Sequence, residues 1–464
     1  MKIKLGVEQV SIEQVSMLSE AITALEEGAT SHAVSLLREA ITDEDILSGE
    51  ESLHPDWLDI YSELSSRPSA HRYARLLEEV KRLVAHLLGV DEEVQLVDPK
   101  TENIVFLLGA GASKPEPSGI PTVKELLPDM LARARRLDRE DVNRLADFCV
   151  EKKIENIEDL LTSAQLAEYC SQNPNVLNLV DFLLFGNLQA QEERRVFRRP
   201  RVDFSSVLFL QDTLQVLFGL LSSRMLPAKP NAGHLAIADY VKGNSKSSIV
   251  TTNYDCCMDL ALLKDGHDLN YQLDFTNDQG GAPKSGTRLI KLHGSLNWFF
   301  CETCQKVHLI DINTTVQNYL NDIAFYPVIA VCKECGGQRR GLLVPPLAMK
   351  FDIFPSLNSL LERAEDALSE ASIVAVVGFS FSDADLYISR MLSKWLSTNE
   401  KSRMIIFDPD VSVVEKVTKQ FELRIQNFDK RRVLSVYGDC AETLPKFLNG
   451  DFISKEMKDD KGNI

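Results

Sequence analysis

The chain has 464 residues, 44% of them hydrophobic and 26% charged, and a formal net charge of −17. This length suits roughly two or three domains, and the acidic balance disfavours a broad contact with nucleic acid. The amino terminus lacks the apolar core of a signal peptide, and no apolar run reaches the about 18 residues of a membrane helix. Nine cysteines in a chain of this length do not indicate a disulfide scaffold. We therefore expect a globular cytoplasmic protein with no membrane segment.

The first predicted region is a helical amino-terminal segment, residues 1–95. Apolar residues recur at helical spacing over residues 11–25, 32–40 and 73–88. The segment contains no recognisable catalytic constellation. We interpret it as an accessory or oligomerisation segment.

A glycine-containing turn comes next and follows a predicted strand. The apolar run Ile104–Leu108 is typical of a buried strand, and Gly109-Ala-Gly-Ala-Ser113 follows at once. Thr122 and Glu125 then have the spacing of a capping box that opens a helix from residue 123 to about residue 137. Strand, glycine turn and helix together form the usual cradle of a dinucleotide pyrophosphate. The glycine spacing is incomplete for that fingerprint, so an ordinary strand-to-helix turn is the alternative.

Residues 131–225 predict a helical insertion, because they are rich in Leu, Ala, Glu and Arg. Five arginines clustered at residues 194–201 indicate either a solvated face or a contact for a partner or phosphate. Strands alternating with helices then predict an α/β domain with a mostly parallel sheet over residues 96–450, followed by a charged tail at 451–464. The predicted strands lie near residues 104, 248, 289, 373, 404 and 434.

Small or polar residues follow five of these strands. Because ligands of parallel sheets bind beyond the carboxyl ends of the strands, we expect these residues to form one rim. The five strand ends are residues 109–113, 252–255, 293–295, 378–380 and Asp408.

The residues of this rim suit cleavage of a nicotinamide–ribose bond better than hydride transfer. His293 is the candidate general base, and Asn253 can hold a water or a ribose hydroxyl. Asp255 can accept a hydrogen bond from a hydroxyl or support its turn. Three further side chains are candidates for ligand contacts: Asp408 for a ribose, and Ser113 and Ser380 for phosphate.

Two C-x-x-C pairs predict a closed tetrahedral zinc site within residues 300–345. Four thiolates leave no open position on the metal, so this zinc would be structural; incidental cysteines are the alternative. His308 is a spare candidate ligand. The four cysteines are Cys301, Cys304, Cys332 and Cys335.

The ordered set of motifs resembles the sirtuin family of the silent information regulator type, over roughly residues 96–450. The resemblance implies a Rossmann-like parallel sheet with a small zinc-binding domain whose metal has four cysteine ligands. It also implies that NAD is the substrate, that His293 is the catalytic base and that Asn253 positions water or ribose. The catalytic set is then Asn253, His293 and Asp255, and the expected NAD contacts are Gly109, Ala110, Gly111, Ser113, Gly378, Ser380, Asp408 and Cys440.

The departures from the deacetylase pattern point to a different branch. Thr122-Val-Lys124 replaces Asp-Phe-Arg, and the proline-containing stretch 344–350 replaces the strand that pairs with an acetyl-lysine peptide. The stretch 378–385 looks like the signature of bacterial sirtuin-like proteins of anti-phage defence, which hydrolyse NAD to ADP-ribose and nicotinamide.

This resemblance implies an NAD glycohydrolase that acts as a toxic effector. A protein deacylase and a non-catalytic NAD or ADP-ribose sensor are the alternatives. The expected partners are further copies of the chain and a HerA-type translocase ATPase or another defence-system protein, because the chain has no Walker A motif of its own.

Overall fold

A computed structural model of the chain describes most of the predicted α/β region. The described residues are 2–5, 8–11, 21, 24, 36, 94, 97–134, 140–151, 154, 157, 160, 219–273, 275–277, 286–301, 303–312, 331–344, 358–382 and 385–452.

These residues include thirteen strands and eight regular helices. The strands are β1 (Lys2–Leu5), β2 (Glu8–Ser11), β3 (Ile104–Leu108), β4 (Ser248–Thr251), β5 (Leu269–Asn270), β6 (Phe275–Asn277), β7 (Thr287–Lys291), β8 (Gly294–Cys301), β9 (Val307–Leu309), β10 (Arg339–Leu343), β11 (Ile373–Val377), β12 (Arg403–Asp408) and β13 (Val433–Tyr437). The helices are α1 (Val123–Ala134), α2 (Glu140–Glu151), α3 (Ala232–Gly243), α4 (Cys257–Lys264), α5 (Asn358–Ser369), α6 (Leu386–Thr398), α7 (Val411–Arg424) and α8 (Cys440–Asn449).

The main sheet has seven strands in the order β13-β12-β11-β3-β4-β7-β5. The pairs β11–β12, β12–β13, β4–β7 and β5–β7 are parallel. All residues of β3, β4 and β11 are buried, as expected for parallel strands that are covered on both faces. This Rossmann-like parallel sheet confirms the predicted α/β class, and each of the six predicted strands is present.

The chain divides into two compact units. One contains Met1–Leu107, Ala367–Phe381 and Tyr387–Ile464, and the other contains Leu108–Asp366 and Ser382–Leu386. In the first unit, α8 packs on β12, where the rings of Phe407 and Phe447 lie 5.3 Å apart.

The second unit also holds a four-stranded sheet in the order β10-β8-β9-β6. Every residue of its central strand β8 is buried. Tyr271, Phe275 and Trp298 pack edge to face in this unit, with centroid distances of 5.1 to 5.6 Å. The sequence did not predict these strands, because β6 and β9 have three residues each and β8 lacks the polar alternation of a half-buried strand.

The prediction of a wholly helical amino-terminal segment is wrong for its first residues. Strands β1 and β2 pair antiparallel, with Lys2 opposite Ser11. The reason is visible in the sequence, since Lys2-Ile-Lys-Leu5 alternates polar and apolar residues with the period of a strand. Positions 21, 24 and 36 are helical, and the remainder of 1–93 lies outside the described residues.

The helical insertion is described only in part. Helix α2 lies within it and is helical as predicted, whereas the arginine cluster at 194–201 and the tail beyond residue 452 lie outside the described residues. The boundaries at residues 96 and 450 stay predictions. Among the helices of the described ranges, none is long and apolar enough to cross a membrane.

Candidate active site

The glycine turn folds directly after β3 as a short 3₁₀ turn, Ala110–Ser113. Gly109 has φ −111°, a backbone conformation that any residue adopts, so the turn does not require glycine there for a left-handed conformation. Helix α1 begins ten residues later, and Thr122 donates its backbone N–H to Glu125 Oε2 at 2.9 Å. The predicted helix start is therefore confirmed, but the glycine turn itself does not open that helix.

The hydroxyl of Ser113 is the centre of a buried hydrogen-bond network. It donates to Asp255 Oδ2 at 2.9 Å, and Asn253 Nδ2 donates to it at 3.3 Å. His234 Nε2 lies 3.3 Å from the same oxygen. Because the single hydroxyl hydrogen goes to Asp255, Ser113 does not have it available for the phosphate that the sequence interpretation assigned to it.

His234 is neutral in this network, and its contacts define its tautomer. The backbone N–H of Asn231 donates to His234 Nδ1 at 3.3 Å, so the ring hydrogen lies on Nε2, facing Ser113. Burial lowers the pKa of His234, although the charges of Asp255 and Asp259 act in the opposite direction. The sequence contained the Asn-x-x-His spacing but gave no role for it; the structure makes Asn231 the N-cap of α3 and His234 a partner of Ser113.

Asn253 is held with its amide nitrogen turned towards the glycine turn. Nδ2 donates to the carbonyl of Gly109 at 2.9 Å as well as to Ser113. A carbonyl oxygen only accepts hydrogen bonds, so this contact fixes the orientation of the carboxamide. Oδ1 therefore lies on the opposite side of the half-buried group, where it can accept a hydrogen bond from a water or a hydroxyl.

Asp255 supports the turn, which was one of the two roles that the sequence left open. Its Oδ1 accepts from the backbone N–H of Cys257 at 2.9 Å, at the start of α4, and its Oδ2 accepts from Ser113. Its main-chain carbonyl accepts from Lys291 Nζ at 2.6 Å. Because both carboxylate oxygens of Asp255 accept hydrogen bonds from the protein, we interpret it as a positioning residue.

A fully buried ion pair lies behind Asp255. Lys291 Nζ is 2.9 Å from Asp259 Oδ2, and the two side chains are 1% and 0% exposed. The hydroxyl of Tyr271 donates to Asp259 Oδ1 at 2.6 Å. Desolvation is the largest single influence and lowers the pKa of Lys291, but the surrounding groups, with the carboxylate of Asp259 first among them, together outweigh it and raise the pKa overall, so the lysine is charged.

His293 lies two residues beyond β7, just as Asn253 lies two residues beyond β4. These strands are parallel neighbours with Thr251 opposite Lys291, so both candidate catalytic residues follow the same edge of the sheet. The imidazole is buried, and its Nε2 is 3.1 Å from Asp385 Oδ1. The sequence contained Asp385 only as part of the 378–385 signature, and its pairing with His293, 92 positions earlier in the chain, had no sequence signal.

The remaining predicted NAD contacts follow β11, β12 and β13. Gly378 has φ +57°, and Ser380 is exposed. Asp408 Oδ1 accepts from the backbone N–H of Asp410 at 2.8 Å. Burial raises the pKa of the Cys440 thiol to about 12, so only its main chain at the start of α8 could serve an anion. Their assignment to NAD stays a prediction.

The four predicted cysteines come together at the end of β8. Their sulfur atoms all lie within 4.8 Å of one another; Cys301 and Cys335 are 3.5 Å apart, and Cys304 and Cys332 are 3.8 Å apart. Four thiolates about 2.3 Å from a tetrahedral zinc are about 3.8 Å from each other, so the cluster fits the metal. His308 Nε2 is 3.4 Å from the Cys332 sulfur, a hydrogen-bond distance rather than a fifth ligation.

Comparison with known proteins gives a family match over part of the chain and several similar solved structures. Residues 247–429 match the family described as a SIR2-like domain. A solved Sir2 homologue in complex with NAD is 17% identical, with a TM-score of 0.37 over 77% of this chain and 93% of that chain. A mutant Sir2 homologue in complex with ADP-ribose is 16% identical, with a TM-score of 0.39 over 81% of this chain and 99% of that chain. No curated protein matches the chain.

The matched range carries the candidate catalytic residues Asn253 and His293 and the four-cysteine cluster. Over residues 247–429 the chain is therefore similar to a SIR2-like domain.

Proposed function

We propose that the chain is an NAD+ glycohydrolase, which converts NAD+ and water to ADP-ribose and nicotinamide. The observation that carries this proposal is the fixed carboxamide of Asn253. Its amide nitrogen is bonded to Gly109 and Ser113, so its oxygen is left to hold a reacting water or hydroxyl. His293, at the end of the neighbouring strand, supplies a base.

The proposed hydrolysis proceeds in two steps. The bond between the anomeric carbon and the nicotinamide nitrogen breaks, and its electron pair leaves with neutral nicotinamide. Water then forms a bond to the oxocarbenium-like carbon and gives its proton to His293, which releases it to solvent. Asn253 orients this water, and Asp255 and Ser113 hold Asn253 and its loop in position.

The contacts that bind the remainder of NAD are proposed from the family resemblance. The backbone of Gly109, Ala110 and Gly111 would approach the pyrophosphate, and Asp408 would bind a ribose. The zinc site, Cys301 to Cys335, would hold the second sheet together and take no part in the reaction, because four thiolates complete its coordination.

A deacylase needs a strand that pairs with the substrate peptide, and the stretch after β10 is poorly suited to this. The backbone N–H of Val344 donates to the carbonyl of His293 at 2.9 Å, and the next two residues are prolines, which have no N–H. Val344 and the two prolines that follow it therefore provide no backbone N–H that could donate to an incoming peptide. This observation favours hydrolysis of NAD without a peptide substrate.

We further propose that the enzyme is a cytoplasmic effector of bacterial anti-phage defence, which acts by depleting NAD. The support is the resemblance of residues 378–385 to the signature of bacterial sirtuin-like defence proteins. Because an unrestrained NAD hydrolase would kill its host, such an effector needs to be restrained. Restraint would come from oligomerisation or from a partner such as a HerA-type ATPase. The amino-terminal segment and the helical insertion are the candidate control regions.

The test is an NAD assay on the purified full chain, alone and with the candidate partner, that follows nicotinamide and ADP-ribose by chromatography. Asn253→Ala and His293→Ala should abolish product formation. His267→Gln is the matched control, because His267 is also largely buried but is bonded to Thr287 and Asp265 at the opposite end of β7. Product release that requires an acylated peptide would select the deacylase, and binding without products would select the sensor.

A further inference from the structure

The side chain of Lys291 connects the two loops that carry the candidate catalytic residues of the second unit. Lys291 is the last residue of β7 and precedes His293 by two positions. Its ammonium donates to the main-chain carbonyl of Asp255 at 2.6 Å, and Asp255 follows Asn253 by two positions. This carbonyl precedes Cys256, the N-cap of α4, so it lies outside the helical ladder and the lysine satisfies it.

The ammonium is itself fixed by a carboxylate whose two oxygens are both engaged. Asp259 Oδ2 accepts from Lys291 Nζ at 2.9 Å, and Oδ1 accepts from the hydroxyl of Tyr271 at 2.6 Å. Burial raises the pKa of the Tyr271 phenol, so this group stays protonated and is the donor. The ring of Tyr271 packs edge to face against Trp298, with the centroids 5.3 Å apart. The lysine nitrogen therefore has a defined position, which is shielded from bulk water because the side chain is 1% exposed.

The loop that Lys291 holds also determines where the carboxamide of Asn253 lies. The carboxylate of Asp255 accepts from Ser113 Oγ at 2.9 Å, and Asn253 Nδ2 donates to the same hydroxyl at 3.3 Å. Every donor in this series is defined by its chemistry, since an ammonium has only donors and a carbonyl or carboxylate oxygen only accepts. A shift of the Asp255 main chain would therefore reach Asn253 through Ser113.

We propose that Lys291 is a positioning residue that sets the separation between the carboxamide of Asn253 and the imidazole of His293. Its main chain leads directly into His293, whereas its ammonium holds the loop of Asn253. The role rests on the proposed function, in which Asn253 orients the water and His293 takes the proton of that water.

The expected kinetic effect follows from this geometry. A misplacement of about 1 Å can slow a reaction by about 100-fold. Loss of the lysine donor should therefore lower kcat by about 10- to 100-fold. KM should change much less, because Lys291 is buried behind the loop and does not contact the substrate.

The kinetic test replaces both members of the pair, because removal of one would leave the other charge buried. The double variant Lys291→Met/Asp259→Leu has apolar side chains of similar size, so we expect it to keep the urea midpoint and to lose kcat. Asp259→Asn keeps the amine that donates to Asp255 but breaks the ion pair, so it should lose more stability and less kcat. Lys242→Met is the matched control, because Lys242 donates to the carbonyl and the carboxylate of Asp265 on an exposed surface.

Two kinetic results would overturn the proposal while leaving NAD hydrolysis intact. One is wild-type kcat in the folded apolar double variant. The other is a loss of kcat that parallels the loss of stability across the variants, because Lys291 would then contribute to folding alone. Lys291→Gln/Asp259→Asn covers the case in which the apolar double variant does not fold. It has no buried charge, and glutamine ends one bond short of lysine, so the same loss of kcat is expected.

A structural measurement separates this inference from the proposed function. In NMR spectra of the full chain labelled with ¹⁵N at the asparagine side chains, Asn253→Ala identifies the signal of Asn253 Nδ2. We expect this signal to shift in Lys291→Met/Asp259→Leu and to stay in place in Lys242→Met. An unshifted signal in the double variant would overturn the proposal even if that variant lost activity. If the wild type does not cleave NAD but the signal shifts, the proposed function fails and the positioning by Lys291 stands.

Discussion

Gly294, immediately after His293, is the residue whose replacement tests the site geometry most sharply. It has φ +81°, and a Cβ built on it would lie 2.1 Å from the carbonyl oxygen of Leu342. Gly266 has φ +80° and nothing within 4 Å of such a Cβ. The two glycines therefore share the left-handed conformation and differ in the space around it.

The expected costs follow from this difference. Alanine in the left-handed region costs about 1 to 2 kcal/mol at either position. At Gly294 the obstacle is backbone of β10, which pairs with β8 at this point, so it cannot rotate away as a side chain would. Overpacking of this kind adds about 1 to 3 kcal/mol. Gly294→Ala should thus cost about 2 to 5 kcal/mol.

Urea unfolding of the full-length variants measures these costs, and nicotinamide release measures the displacement of His293. We expect Gly294→Ala to lose more stability than Gly266→Ala and also to lose activity, which Gly266→Ala should retain. Equal losses of stability in the two variants would refute the assigned contact with Leu342.

Three further predictions concern the surroundings of the site and the cysteine cluster. Asp259→Ala leaves the charge of Lys291 buried and should cost about 3 to 5 kcal/mol, whereas Lys242→Ala, which breaks an exposed ion pair, should cost at most about 1 kcal/mol; similar urea midpoints for the two variants would contradict this. Cys332→Ser should lower the zinc content, measured by mass spectrometry of the metal, from about one ion per chain, and an unchanged content would show that this sulfur is not a ligand. Burial lowers the pKa of His234 in the folded chain. Below about pH 6.5 this histidine is therefore protonated in the unfolded chain but not in the folded chain. The free energy of unfolding should consequently decrease as the pH falls through that range. His234→Gln removes this contribution, so its unfolding midpoint should vary less between about pH 7 and pH 5 than that of the wild type; an equal or steeper dependence would refute it.

The parallel sheet was predictable because its strands are short, continuous apolar runs that end in small or polar residues. Ile373–Val377 is buried along its whole length, and such a run admits few other interpretations. The second sheet was not predictable in the same way. The wholly buried β8 begins with Gly and Ser and contains Asn297, whose polar side chain is bonded inside the fold to Ser295.

The sequence predicted single residues of the candidate site, such as Asn253 and His293. It did not predict contacts between residues that are distant in the chain. Asn253 and His293 stood at strand ends, but Ser113 was assigned to a ligand because its partner Asp255 is distant in sequence. Asp385 had no sequence signal for its pairing with His293, since the contact depends on how the chain folds.

We propose that the groups around Asn253 and His293 cleave NAD. The most direct measurement is the release of nicotinamide and ADP-ribose by the wild type, Asn253→Ala and His293→Ala, each with its unfolding midpoint recorded. We expect equal amounts of both products from the wild type and none from the two variants, with all three proteins folded. Full activity in His293→Ala, or a folded wild type that forms no products with or without its partner, would contradict the proposed reaction.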